Sequence, residues 1–214
     1  MKLRFRPLSL AATLALSAAS AFAAYDSVDF FRAINVDNDA AVTRMLAAGL
    51  DPNQLDTHGQ PALIVALQGE SLKVAKVLWD AKGIQIDVRN HAGETPLMMA
   101  ALKAEVDAAT ALVAHGAAVQ KEGWSPLHYA ATGGSAAIVK LLLAKGAPLE
   151  ARSPNGSTPL MMAARYGNEE AVDALLAAGA DRSAKNDLGM DAAAFAASAG
   201  RDRLAARLKP DAVK

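Results

Sequence analysis

The side chains able to do chemistry are few: four histidines (His58, His91, His115 and His128), 22 scattered carboxylates and no cysteine. A Cys-free chain has no disulfide, no thiolate nucleophile and no Cys-ligated metal. His58 and His91 stand just before successive loop glycines, Gly59 and Gly93, so they are expected to be neighbours on the surface, where imidazoles can bind a metal or sense pH. No carboxylate joins them at ligand spacing, so neither a metal nor any other cofactor is expected. There is no G-x-S-x-G elbow, no H-E-x-x-H pair and no phosphate-cradling glycine loop. Gly133-Gly134 reads as a turn between helices. The chain is therefore read as non-enzymatic.

The elements that hold these residues repeat. Gly93-Glu94-Thr95-Pro96-Leu97-Met98-Met99-Ala100-Ala101 returns as Gly123-Trp124-Ser125-Pro126-Leu127-His128-Tyr129-Ala130-Ala131, and again from Gly156 to Ala164. Eroded copies begin at Gly59 and Gly189, so the leading glycines lie 34, 30, 33 and 33 residues apart. A second phrase interleaves with the first: Leu112 to Gly116, Leu142 to Gly146 and Leu175 to Gly179, with a variant at Met45 to Gly49. Thr or Ser before Pro starts a helix, because the hydroxyl caps free backbone N–H groups and Pro needs no partner at the first position. The Ala pair makes a thin helix, Ile138, Leu141 and Leu142 fall at helical spacing, and the terminal Gly stops the second helix. Each unit is helix, turn, helix, loop.

Two phrases recurring together at this period resemble the ankyrin repeat, across residues 25–208. The resemblance implies an all-α solenoid of about six helix-turn-helix units with β-turn or hairpin fingers. Tyr25 to Asn53 lacks the T-P-L start, and the unit from Gly189 to Leu208 loses Thr, Pro and Leu, so the first and last units are expected to be end caps. Gly116 and Gly123 are seven positions apart, where the other loops span ten, so the finger carrying Gly123 should be short and the groove notched there.

The family resemblance also implies how the chain works: partners bind the concave surface made by the inner helices and finger tips. The positions concerned lie around the loop glycines (Thr57, His58, Gln60, His91, Glu94, Lys121, Glu122, Trp124, Asn155, Ser157, Asp187, Leu188 and Met190) and just after the Ala pair (Gln68, Lys103, Thr132, Arg165 and Tyr166). Large aromatics and Arg dominate interface energies, which singles out Trp124, Arg165 and Tyr166. Trp124 suits either a partner anchor or packing between fingers, whereas Trp79 replaces a core Leu. Met98-Met99 and Met161-Met162 are read as gap-filling core or as an adaptable binding face. His128 occupies the position where the family bonds the helix start.

Composition sets the remaining expectations. Hydrophobic residues are 52% of the chain and aromatics 5%, which suits closely packed helices. Lys2, Arg4 and Arg6, an apolar run from Leu8 to Ala19, and Ala21-Phe22-Ala23 read as a signal peptide over 1–23, cleaved between Ala23 and Ala24. The run is too short to span a bilayer, and no later stretch is long and apolar enough. That gives a repeat domain over 24–208 and a tail over 209–214. Losing the leader's three cations leaves 19 basic and 22 acidic side chains, a net −3 that argues against a nucleic-acid partner. The expectation is a monomeric scaffold in the periplasm of a Gram-negative bacterium, binding another protein. An inhibitor or immunity protein that occludes a toxic or hydrolytic enzyme is the alternative.

Overall fold

The computed structural model describes residues 26–209, so the expected leader and its cleavage point lie outside the described residues, as do the last five of the tail. Among the described residues twelve helices form six pairs: α1 (Ser27–Asn35) with α2 (Asp39–Ala47), α3 (Ala62–Gln68) with α4 (Leu72–Trp79), α5 (Pro96–Leu102) with α6 (Val106–Ala114), α7 (Pro126–Gly133) with α8 (Ala136–Ala144), α9 (Pro159–Arg165) with α10 (Glu169–Ala177), and α11 (Ala192–Ser198) with α12 (Asp202–Leu208). The odd-numbered helices stack on one another as an inner layer, and the even-numbered ones form an outer layer behind them. Among the described residues there is no strand, only an isolated antiparallel bridge between Leu55 and Pro61 in the first finger. The all-α repeat solenoid expected from the two phrases is what the chain forms.

The local signals act as their chemistry requires. The Thr95 and Thr158 hydroxyls accept from the N–H groups of Met98 and Met161, with Pro96 and Pro159 opening the helices. The inner helices α5, α7 and α9 each bury a Leu and the paired Ala, such as Leu127, Ala130 and Ala131, and the inner helices of the end units bury Phe30, Ile34 and Phe195 in their place. The outer helices supply Leu78, Leu112, Ile138, Leu142 and Leu175 to the same continuous core. Trp79 and Met98, Met99 and Met161 are buried in it, whereas Met162 is only half-buried.

The end units are atypical, as solenoid ends must be. α1 starts from the Asp26 cap, whose carboxylate accepts from the Asp29 N–H, without any T-P-L phrase. In the last unit Arg201 does structural work. Its Nη1 donates to the carbonyls of Ala163, Ala164 and Gly167 at 2.8–3.1 Å, closing the C-terminal end of α9 in the preceding unit.

Candidate protein-binding surface

Within each inner helix the fourth and seventh residues after the capping position share one face, because they are three apart. The buried Leu and Ala pair hold the opposite face. In α7 the pair on this groove-side face is Tyr129 and Thr132, and in α9 it is Met162 and Arg165; in α5 it is Met99 and Leu102, of which Met99 is buried and only Leu102 is exposed. Leu102, Tyr129, Thr132 and Met162 close with Trp124 around a recess of about 180 Å³. That volume admits one large apolar side chain and falls short of a drug-sized ligand. Leu102 remains 37% exposed, so the rim of the recess is apolar and open. Trp124 stands edge-on to the His128 ring, with centroids 5.4 Å apart. It therefore both packs against the core and faces the groove.

Two networks fix this region. The Tyr129 hydroxyl donates to Glu94 at 2.7 Å, and Glu94 also accepts from the Asn90 side chain, tying the second finger to α7. Burial and the adjacent carboxylate push the Tyr129 phenol above its ordinary value, so it stays a donor. His128 is fully buried; its Nδ1 accepts from the Ser125 N–H and lies 2.8 Å from the Ser125 hydroxyl, while Nε2 lies 3.0 Å from the Ser157 carbonyl. The carbonyl can only accept, so the ring carries its proton on Nε2. Burial lowers its pKa, against the pull of the backbone carbonyl.

The fingers follow one rule with one exception. In the first, second, fourth and fifth, the N–H of Asp56, Asn90, Ser153 and Asn186 donates to the carbonyl four residues on, and the glycine N–H donates back. The side chains of these residues accept from finger backbone N–H groups, which is turn chemistry native to Asp, Asn and Ser. The third finger has Gln120 there, and its amide donates instead to the Gly146 carbonyl. Neither backbone bond closes that finger among the described residues. The next finger normally covers the glycine behind it: a Cβ on Gly59 would lie 2.5 Å from His91, and one on Gly156 would lie 2.6 Å from Asp187. Nothing lies within 4 Å of the same point on Gly93, which precedes the short finger. The notch expected from the seven-residue spacing is there, an open cleft of about 750 Å³.

The expected site residues divide between these features. Lys121, Glu122 and Trp124 sit on the short finger at the notch and recess. His58 and Asn155 are exposed on finger tips, and His91 is exposed with its ring over Gly59, beside His58. Among the described residues, no group of three or more His, Cys, Asp or Glu side chains is placed to hold a metal ion. Glu94 is half-buried and committed to Tyr129 and Asn90. Gln60 is half-buried with its side-chain oxygen lacking a donor. Arg165 donates to Ser198 and lies over the Tyr166 ring at 5.2 Å, leaving Tyr166 55% exposed beyond the recess. Lys103 is paired with Glu70 across neighbouring units. Ser157 is a correction: it is buried, because its N–H donates to the Ser153 hydroxyl and its own hydroxyl accepts from Asn186.

Leu102, Tyr129 and Met162 complete the recess; Met162 belongs to a pair whose spacing allows either core or a binding face, whereas Leu102 and Tyr129 are not among the positions expected from the sequence. The signal was the three-residue spacing from Tyr129 to Thr132, which fixes the helix phase. A second open cleft, of about 480 Å³, lies at the first unit between α1 and the first finger, with Val28, Phe31 and Val36 in its wall.

With this geometry in hand, the comparisons are consistent. The description "Ankyrin repeats (3 copies)" matches residues 30–122, 82–153, 118–186 and 149–211. The chain belongs to the ankyrin-repeat family, a protein-interaction architecture. Mouse B-cell lymphoma 3 protein homolog is 34% identical over 123 residues, covering 54% of this chain and 28% of that protein. Zebrafish putative palmitoyltransferase ZDHHC13 is 33% identical over 129 residues, covering 58% and 20%. Human neurogenic locus notch homolog protein 4 is 36% identical over 74 residues, covering 35% and 4%. The chain thus spans between 4% and 28% of the length of these relatives. No described helix is long and apolar enough to cross a membrane.

Proposed function

We propose that this chain is an exported, non-enzymatic scaffold of the bacterial periplasm that holds a partner protein in its concave groove. The observation that carries the reading is the recess of Leu102, Trp124, Tyr129, Thr132 and Met162. It is apolar, open, and built on the rigid face of a stacked solenoid, where a partner side chain can be desolvated without reorganising the fold. Export rests on the basic start, short apolar run and A-x-A ending of residues 1–23.

The test has two arms. Fractionation of the cells should recover the protein in the periplasmic extract with Ala24 as its first residue by mass spectrometry; recovery in the cytoplasm alone with Met1 intact would remove the export claim. Partner titration should weaken by about 1–3 kcal/mol on Trp124→Ala, the range of an interface hot spot. Unchanged affinity in Trp124→Ala and Leu102→Ala together would remove the groove. Should the bound partner be an enzyme that loses turnover in the complex, the scaffold acts as an inhibitor.

A further inference from the structure

The notch beside the recess carries three cations, none of them in an ion pair with a described carboxylate; Asp181, whose pKa Arg152 helps to lower, lies outside the cleft wall. Arg89 comes from the second finger, Lys121 from the short third and Arg152 from the fourth; all three line one cleft. The ion pairs of the described residues involve other groups. Two of the cations are nonetheless fixed in place. Lys121 Nζ donates to the carbonyls of Glu122 and Trp124, each at 3.3 Å. Arg152 Nη1 donates to the carbonyls of Gly156 and Lys185, each at 2.8 Å. Backbone carbonyls orient a cation while leaving its charge largely uncompensated. The wall holds a single acidic side chain, Glu122, which is exposed.

This positive concentration stands out because the mature chain is acidic overall. It exists because the short finger leaves Gly93 uncovered and opens space between its neighbours. The notch and the apolar recess adjoin through Gly123 and Trp124, and Lys121 is bonded to the Trp124 carbonyl itself.

We propose that the groove recognises a peptide segment of its partner in which a large apolar side chain is flanked by acidic residues. The apolar side chain fills the recess, and the carboxylates sit in the notch against Arg89, Lys121 and Arg152. The idea rests on the groove reading above and adds the chemistry of the ligand. A peptide is favoured over a free anion because the charged cleft and the apolar recess share one finger. Charge complementarity of this kind sets partner choice and association rate.

The experiment pans the mature chain against a random dodecapeptide library, then resynthesises the selected peptides. The expected result is enrichment of Asp or Glu beside Leu, Phe or Met. Replacing the acids by Asn and Gln should weaken binding about tenfold, as should raising salt from about 0.05 to 0.5 M. Arg89→Gln with Lys121→Gln spares Arg152 and its backbone bonds; this double variant, shown folded by its circular dichroism melt, should lose most of the preference for acids. Selected peptides that are apolar but not acidic, and lost on Trp124→Ala, would overturn the acidic-segment proposal and leave the groove standing. Acidic peptides bound equally by the double variant would place the charge contact elsewhere and overturn it too. Peptides indifferent to Trp124→Ala would remove both readings.

Discussion

Replacing His128 by Ala removes a fully buried polar side chain that links two units of the stack, and the cost can be worked from its contacts. Nδ1 receives the Ser125 N–H at 3.2 Å and meets the Ser125 hydroxyl at 2.8 Å, and Nε2 reaches the next unit at the Ser157 carbonyl, 3.0 Å away. Each such bond contributes about 0.5–1.5 kcal/mol net, and a buried partner left alone costs at the upper end. Truncating the ring also removes packing under Trp124, so the total is about 3–4 kcal/mol. Urea unfolding of a chain comprising residues 24–214, followed by Trp fluorescence, reads it directly. In a chain of this size the loss corresponds to a fall in Tm of about 6–16 °C. The pH dependence is a second signature. Above the ordinary imidazole value of 6.5 the ring is neutral in both states and its full contribution is present. As pH falls through that value the unfolded chain takes up a proton that the native ring resists, so stability declines until the lowered native pKa is passed. The limiting slope is about 1.4 kcal/mol per pH unit. His128→Ala should lack this component. A loss below about 1 kcal/mol, or a variant with an unchanged acid slope, would refute the assigned role.

Three further substitutions test the stack. Met161→His places at the equivalent position of the next unit the ring that His128 provides, with the Met190 carbonyl as its acceptor; thermal melting should show a gain of about 1 kcal/mol, and a loss would mean the two sites are not equivalent. Ala104 holds a left-handed backbone (φ 58°) where the next unit has Gly134, so Ala104→Gly should stabilise by roughly 0.5–1 kcal/mol despite the entropy of glycine in the unfolded chain. No change in the urea midpoint would count against strain there. Gly167→Ala should cost about 2–3 kcal/mol and speed hydrogen exchange in α7 and α9, since the new Cβ would lie 2.3 Å from the Ala131 carbonyl of the preceding unit. A neutral outcome would show that the two units can separate freely.

The repeat was legible because each phrase does local work: the Thr and Ser caps, the Pro after them, the thin Ala pair and the terminal Gly specify helices without help from distant residues. The shortened finger was legible as a count between Gly116 and Gly123. The recess was half legible. Trp124 stood out by type and Met162 as one of two alternatives, core or binding face, but Leu102 and Tyr129 become groove residues only once the phase of the helices is fixed and the units are stacked. Lys103 and Tyr166, one position later, lie past that face, and Lys103 is taken up by Glu70. Ser157 looked like its exposed neighbours, and only the facing finger explains its burial. Arg201 reads as a charge on a terminal unit; its three carbonyl partners belong to the unit before. The basic notch is the least legible feature, since Arg89 and Arg152 precede their glycines by four residues while Lys121 precedes its own by two. Only the lost turn brings them together.

The central claim is that a partner sits in the groove rather than on the outer helices. A photoreactive phenylalanine analogue at Thr132, on the groove face of α7, and another at Lys140, on the exposed face of α8, would be irradiated in cells that export the protein. The account predicts a covalent protein adduct from position 132, reduced when Trp124→Ala is added, and none from position 140. An adduct from position 140 alone would contradict it.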